Sequence, residues 1–350
     1  MNRSLLRALL LLLVWGVLIW LWVGRNQHER LSEPSGSIDD SEVLEEAANA
    51  EQVEPKGDNF SPGFTVITSR PPPRPGIPAS TELLGEARDH LDSGGQEGSC
   101  GRYSLIGDTA DPVLLESCNL LASELDDTYA KRLGVIPLGD PVATIILFND
   151  RQAYWDFSEQ QGLSAPGYAA HSKPSRGYTA IWADSRRPED FAKTLVHELT
   201  HLVNRRALGG NLPRWLSEGL ADALGDTATP AGIQQLQGLE GAEGQAERLR
   251  LAYETEQVPS VARLVTLGSK AFDGGAVSYD YEQSALLVRY LLLDPELASR
   301  FRGFLADLAG GAPSAPELLQ QRQTVEWAEL DHRLQSWLGV RPALPGDSPH

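Results

Sequence analysis

Cysteine is nearly missing from this chain: there are two in 350 residues, which excludes a small domain stapled by disulfides. Basic side chains are scarce as well, 30 Lys and Arg against 48 Asp and Glu. The resulting formal charge of -18 argues against nucleic acid as a main partner, because phosphate binding needs concentrated Lys and Arg and an acidic field repels the backbone. The sequence also lacks a convincing internal repeat, a phosphate-cradling glycine loop and the nucleophile elbow of serine hydrolases. Apolar mass is present: 41% of residues are hydrophobic, enough at this length for one large domain or two modest ones with a real core.

The charge falls into three regimes. Residues 1–30 carry Arg3, Arg7, Arg25 and Arg30 against Glu29, a balance of +3, whereas residues 31–60 hold nine acids against Lys56, a balance of -8. The remaining 290 residues carry -13. Within the basic start, ALLLLLVWGVLIWLWVG (8–24) is a run of 17 uncharged, mostly apolar residues, just long enough to cross a bilayer. A cleaved signal peptide competes with this reading, but the run is long for a signal core and no small-x-small site follows Trp20, Trp22 and Val23. The expectation is an uncleaved signal anchor holding the chain in the membrane. The charge of Met1, Arg3 and Arg7 places residues 1–7 in the cytoplasm and the body outside it, in the periplasm if the cell is Gram-negative.

Residues 25–98 read as an acidic, then proline-rich tether, with a brief helix around Ser41 to Ala50, a strand at FTVIT (64–68) and extended backbone at RPPPRPG. A folded domain is expected over 99–340, beginning near Gly101, and a flexible tail over 341–350. Cys100 and Cys118 can pair outside the cytoplasm or stay free and buried; the sequence leaves both open. RYSLIG reads as a strand, DPVLLESCNLLASELDDTYAKRLG as an amphipathic helix, VATIILFND as a buried strand, RQAYWDFSEQQG as a short helix and GYTAIWAD (177–184) as another strand. Strands separated by helices, with long helices afterward, favour an α+β body. LQQRQTVEWAELDHRLQSWLG reads as one terminal amphipathic helix with Leu334 and Leu338 buried and Trp337 at the margin.

The informative segment is RPEDFAKTLVHELTHLVNRRALGGNLPRWLSEGLADAL. Pro188 suits a first helical position, with Glu189 and Asp190 in the first turn. His197 and His201 are four residues apart, so both imidazoles leave one helix face and can reach one ion, with Glu198 beside them to take a proton from activated water. Glu218 follows His201 by 17 residues, room for a turn at Gly209-Gly210-Asn211 and a second helix opened by Pro213. It would complete a His/His/Glu set with one position open, a catalytic rather than a closed structural zinc site.

HELTH followed by LPRWLSEGLAD resembles the gluzincin branch of the zincin metallopeptidases, particularly the peptidase MA-like domains. The likeness extends through LFNDRQAYWDF, GYTAIWA and YEQSALLVRYLL, roughly residues 101–340. It implies a small mixed sheet, an active-site helix and a following helical subdomain, with one zinc per chain held by His197, His201 and Glu218 and with Glu198 as general base. The 16-residue gap between His201 and Glu218 is shorter than in thermolysin-like and aminopeptidase relatives, so their substrate preferences do not transfer. No G-x-M-E-N signature of exopeptidases occurs.

The implied reaction is peptide-bond hydrolysis, in which the tetrahedral oxyanion wants a second donor. Tyr279 and Tyr281 are candidates, and the resemblance favours Tyr281; ordinary packing competes for either. Asp222, one turn after Glu218, is placed to accept the second ring proton of a ligand histidine, and Arg289 is placed to pair with a carboxylate that the sequence does not identify. His171 reads as a polar loop residue, with a position over the cleft as the alternative. If strand 177–184 is a sheet edge, an extended peptide substrate can add to it. Two other readings compete with the peptidase: an inactive zinc-binding scaffold, and a membrane-tethered interaction module. The oligomeric state is not legible.

Overall fold

In the computed structural model the described residues are 76–340, apart from the short stretches 109–110, 141, 164–167, 185, 210–211, 256, 274–278 and 313–315. The expected anchor at 8–24, the helix near 41–50, the strand at 64–68, the RPPPRPG segment and the tail at 341–350 lie outside the described residues. Among the described residues no helix is long and apolar enough to cross a membrane.

The body starts earlier than its composition indicates. Helix α1 spans Thr81–His90, capped by Ser80, whose Oγ accepts from Leu83 N at 3.2 Å, and it buries Leu83 and Ala87, one turn apart. Strand β1, Gln96–Cys100, then pairs antiparallel with β2, Tyr103–Gly107, through a tight turn at Gly101. Gly101 has φ +58°, and a Cβ there would stand 2.8 Å from Ser123 Oγ, so only glycine fits. The tether boundary at residue 98 is therefore corrected: residues 81–100 belong to the folded body. Their exposed, Gly- and Ser-rich strand hid them.

Asp111 caps the next helix, α2 (Pro112–Thr128), by accepting from Val113 N at 2.9 Å. A five-residue π-helical turn, Tyr129–Leu133, follows and ends at Gly134. Then come β3 (Thr144–Phe148), α3 (Arg151–Gln160, capped by Asp150), β4 (Ala170–Lys173) and β5 (Tyr178–Trp182). The sheet order is β1-β2-β3-β5-β4, with β2, β3 and β5 parallel and an antiparallel strand at each edge.

Strand alternation explains the layers. Along β3, Ile145 and Leu147 join a core with Leu121, Leu125, Leu195 and Leu199, whereas Ile146 and Phe148 join a separate core with Leu83, Ala87, Tyr154 and Phe157. A strand buried on both faces needs an unbroken apolar run, which TIILF supplies. So α1 and α3 cover one face, and α2 with the long helix α4, Pro188–Ala207, covers the other.

After α4 the chain becomes almost wholly helical: α5 (Arg214–Gly225), a small hairpin of β6 (Ala228–Thr229) and β7 (Gly232–Ile233), then α6 (Glu243–Glu254), α7 (Val261–Thr266), α8 (Ser269–Asp273), α9 (Asp280–Leu293), α10 (Leu297–Ala309), α11 (Pro316–Gln323) and α12 (Trp327–Trp337). The molecule is thus a mixed α/β body with a small sheet, compatible with the expected α+β class. The single terminal helix expected from the sequence is two, broken where Thr324 adopts φ 54°; Leu334 and Leu338 are buried as expected.

Cys100 and Cys118 form a disulfide that ties β1 to α2 across a separation of 18 residues, with Cα atoms 5.5 Å apart. Cross-linking a loop of that length removes unfolded-state entropy worth about 3 kcal/mol. Urea unfolding of the Cys100→Ala, Cys118→Ala double variant should show a loss of that order; an unchanged midpoint would mean the bond does not form in the protein.

Two expectations are corrected here. Strand 177–184 is not an edge: β5 pairs with β3 on one side and β4 on the other, so both its backbone rims are used and the edge strand on that side of the sheet is β4. His171 is not in a loop but on β4, 1% exposed, among Tyr154, Phe157 and Tyr178. Its Nδ1 lies 3.2 Å from Tyr154 Oη and its Nε2 3.3 Å from Tyr178 Oη, and burial, with the charge of Lys173, pushes it down to about 3. It is a neutral core residue on the face away from α4.

Candidate metal centre

Helix α4 carries the first two ligand candidates because its apolar residues bury the rest of its surface. Leu195, Val196, Leu199, Leu202 and Val203 are buried, leaving His197 and His201 partly exposed toward α5. Helix α5 returns against them and presents Arg214, Glu218 and Asp222 at successive turns of one face. Gly225 lets the end of α5 close on α4, its hypothetical Cβ lying 3.1 Å from Lys193 O.

The two Nε2 atoms are 3.3 Å apart, and Glu218 Oε2 and Oε1 lie 3.6 Å and 3.7 Å from those of His197 and His201 respectively. One ligand atom from each of the three residues falls within 4.8 Å of the others, a group able to hold a metal ion. Glu218 is 3% exposed, and its Oε1 makes no hydrogen bond although Arg214 Nη1 is 2.9 Å away. Two imidazole nitrogens facing each other beside a buried carboxylate need a proton or a cation between them.

The remaining ring nitrogens are held from behind. His197 Nδ1 is 2.8 Å from Asp222 Oδ1, as the sequence led us to expect, and His201 Nδ1 is 3.1 Å from Ser217 Oγ. The Asp222 carboxylate only accepts, which favours Nδ1–H on His197, and the Ser217 hydroxyl is able to accept the same bond from His201; with both Nδ1 atoms so engaged, the Nε2 lone pairs are left for an ion. Removing Asp222 by Asp222→Ala should weaken metal binding about 10–100-fold, read by competition with a chromophoric chelator; wild-type affinity would show that Asp222 does not orient His197.

Charge completes the picture. Burial alone would lower His197, but Asp222 and Glu218 outweigh it and hold it well above the ordinary histidine value, whereas burial pushes His201 down. Burial likewise works against the Glu218 carboxylate, yet His201, His197 and Arg214 hold it well below the usual range. Asp226 is pushed up to about 6 by burial and by Asp222, with Lys193 and Arg289 pulling the other way.

Glu198 follows His197 directly, is 7% exposed, and its charge raises the proton affinity of both imidazoles. Its backbone oxygen accepts from Ser172 Oγ of β4 at 3.0 Å, which fastens the edge strand to the helix. Tyr281 reaches the site through Arg214, whose Nη2 is 3.4 Å from its hydroxyl, and packs edge-on against Phe272. Tyr279 points elsewhere, donating to Gln257 Oε1 at 3.3 Å. The carboxylate for the buried Arg289 is Asp226, 4.0 Å away, and Arg289 also donates to Glu240 O at 2.7 Å.

Helix α9 sits close because Gly219 has no side chain; a Cβ there would lie 2.6 Å from Ser284 O. Sequence reasoning missed Ser217 and Arg214. Arg214 was detectable as the residue one turn before Glu218 on the same face. No protein-family model matches the chain, and a search of curated proteins finds no match.

Proposed function

We propose that this protein is a zinc-dependent metallopeptidase of the gluzincin type, anchored in the membrane through residues 8–24, that hydrolyses peptide bonds in peptide or protein substrates on the far side of the membrane from its N-terminus. The observation that carries this reading is the convergence of His197 Nε2, His201 Nε2 and Glu218 on one point, with Glu198 beside it. Ligands at ~2.0–2.1 Å on one tetrahedral ion stand roughly 3.3–3.4 Å apart. The two Nε2 atoms already stand 3.3 Å apart; Glu218 approaches His197 through Oε2 at 3.6 Å and His201 through Oε1 at 3.7 Å, and one atom from each residue lies within 4.8 Å of the others, so the carboxylate has to turn to bring one oxygen to the ion. Two nitrogens and one carboxylate oxygen, with a further position open, are the donor set of catalytic rather than structural zinc.

When bound, the ion would polarise the scissile carbonyl and acidify water. The chain's own residues do the rest. Asp222 and Ser217 keep the imidazoles turned. The Glu198 carboxylate takes a proton from the attacking water and returns it to the leaving nitrogen. Tyr281 Oη is the proposed donor to the developing oxyanion. Of the two edge strands, β1 and β4, the one fastened to the histidine helix is β4, through Ser172 Oγ to Glu198 O, and it is the proposed strand for backbone pairing with an extended substrate.

A peptide-library digest by the zinc-loaded full-length chain tests the reading. Cleavage lost with a chelator and restored by zinc supports it; no cleavage, or cleavage indifferent to the chelator, contradicts it.

Metal uptake should depend on pH. His197 is held protonated above its ordinary value in the metal-free protein, so an ion entering at neutral pH must displace that proton. Apparent affinity should then fall by about tenfold for each unit of pH below the raised value, and calorimetry in buffers of different ionisation heat should detect proton release. A pH-independent affinity between 6 and 8 would contradict it.

A further inference from the structure

Arg214 is the charged residue at the site to which the mechanism above gives no task. Its side chain is largely buried, with Nη1 2.9 Å from Glu218 Oε1 and Nη2 3.4 Å from Tyr281 Oη. The two oxygens of Glu218 therefore differ. Oε2 faces His197 Nε2 at 3.6 Å, whereas Oε1 is shared between His201 Nε2 at 3.7 Å and the nearer guanidinium. A carboxylate with both oxygens open can ligate an ion through two; a guanidinium against the second oxygen competes with the ion for it and favours ligation through one.

We propose that Arg214 is a positioning residue that restricts Glu218 to ligation through Oε2 and thereby keeps one coordination position at the metal open. This rests on the metal reading above. The imidazoles do not need Arg214, since Asp222 and Ser217 already hold them.

The sign of the effect separates this role from plain support. A guanidinium beside the site repels a metal cation. If Arg214 only held Glu218 in place, its loss would weaken metal binding; if it withholds Oε1, its loss keeps or improves affinity while raising the coordination number.

The test uses the full-length chain with Co(II) alone as the probe, because its visible absorption weakens as coordination number rises. Wild type should take one Co(II) with the intense absorption of a four-coordinate site. Arg214→Met should bind it at least as tightly with absorption lower by about twofold or more, and Arg214→Lys, which restores a cationic donor to Oε1, should regain the intensity. Tyr281→Phe, which leaves the Glu218 contact intact, should match wild type. If Arg214→Met does not fold, as read by circular dichroism, Arg214→Leu, which also lacks a side-chain donor, gives the same readout. Wild-type absorption in Arg214→Met, or a tenfold loss of affinity, overturns the proposal while leaving the metal site standing. A wild-type chain that takes no Co(II) overturns the metal reading itself, and this role with it.

Discussion

Glu198→Gln is expected to keep its zinc and to lose hydrolysis by about 10²–10⁴-fold, the usual contribution of a positioned general base. The substitution preserves volume at a position that is 7% exposed, so packing changes little. It removes the group that accepts the water proton, and the ligands are His197, His201 and Glu218, so the ion stays. Two measurements decide it: metal content and turnover on one cleaved peptide. A variant with wild-type turnover would show that another group is the base. A variant that loses its zinc would place Glu198 among the ligands.

The second large effect is expected on stability, at the far end of α4. Arg206 is 2% exposed and makes a two-pronged pair with Asp126 of α2, at 3.0 Å and 2.9 Å. It also donates to Leu138 O at 3.2 Å and Gly139 O at 2.8 Å, tying the loop after α2 to the helix that carries the histidines. Asp126→Ala leaves a buried guanidinium with carbonyl groups and the Tyr103 hydroxyl but no carboxylate partner, and breaking such a pair typically costs about 3–5 kcal/mol. Urea unfolding should register that loss. The double variant Asp126→Leu, Arg206→Met, which removes both charges, should recover much of it. A loss below about 1 kcal/mol for Asp126→Ala would mean that water reaches Arg206 in solution.

What was legible in the sequence follows from how local each signal is. TIILF could be read as a buried strand because four apolar residues in a row, Ile145 to Phe148, bury both faces at once. The spacing of His197, His201 and Glu218 could be read because helical periodicity fixes the direction of side chains four apart, and one turn-back suffices for the third. β1 could not, since QEGSC buries only its last residue and is held by pairing with β2 rather than by its own side chains. His171 was misjudged because glycines and a proline around it read as loop, whereas its partners Tyr154 and Tyr178 come from elements the sequence cannot bring together by itself. The same holds for Tyr281: its link to Glu218 through Arg214 depends on α9 packing on Gly219, a contact across 65 residues of chain between Gly219 and Ser284.

The most direct measurement of the central claim is the metal content of the purified full-length chain after exposure to zinc and removal of the excess. The site described here predicts one zinc per chain in the wild type and none in His197→Ala or His201→Ala, with Glu198→Gln still holding one. Zinc absent from the wild type, or retained at one per chain without His197, would contradict it.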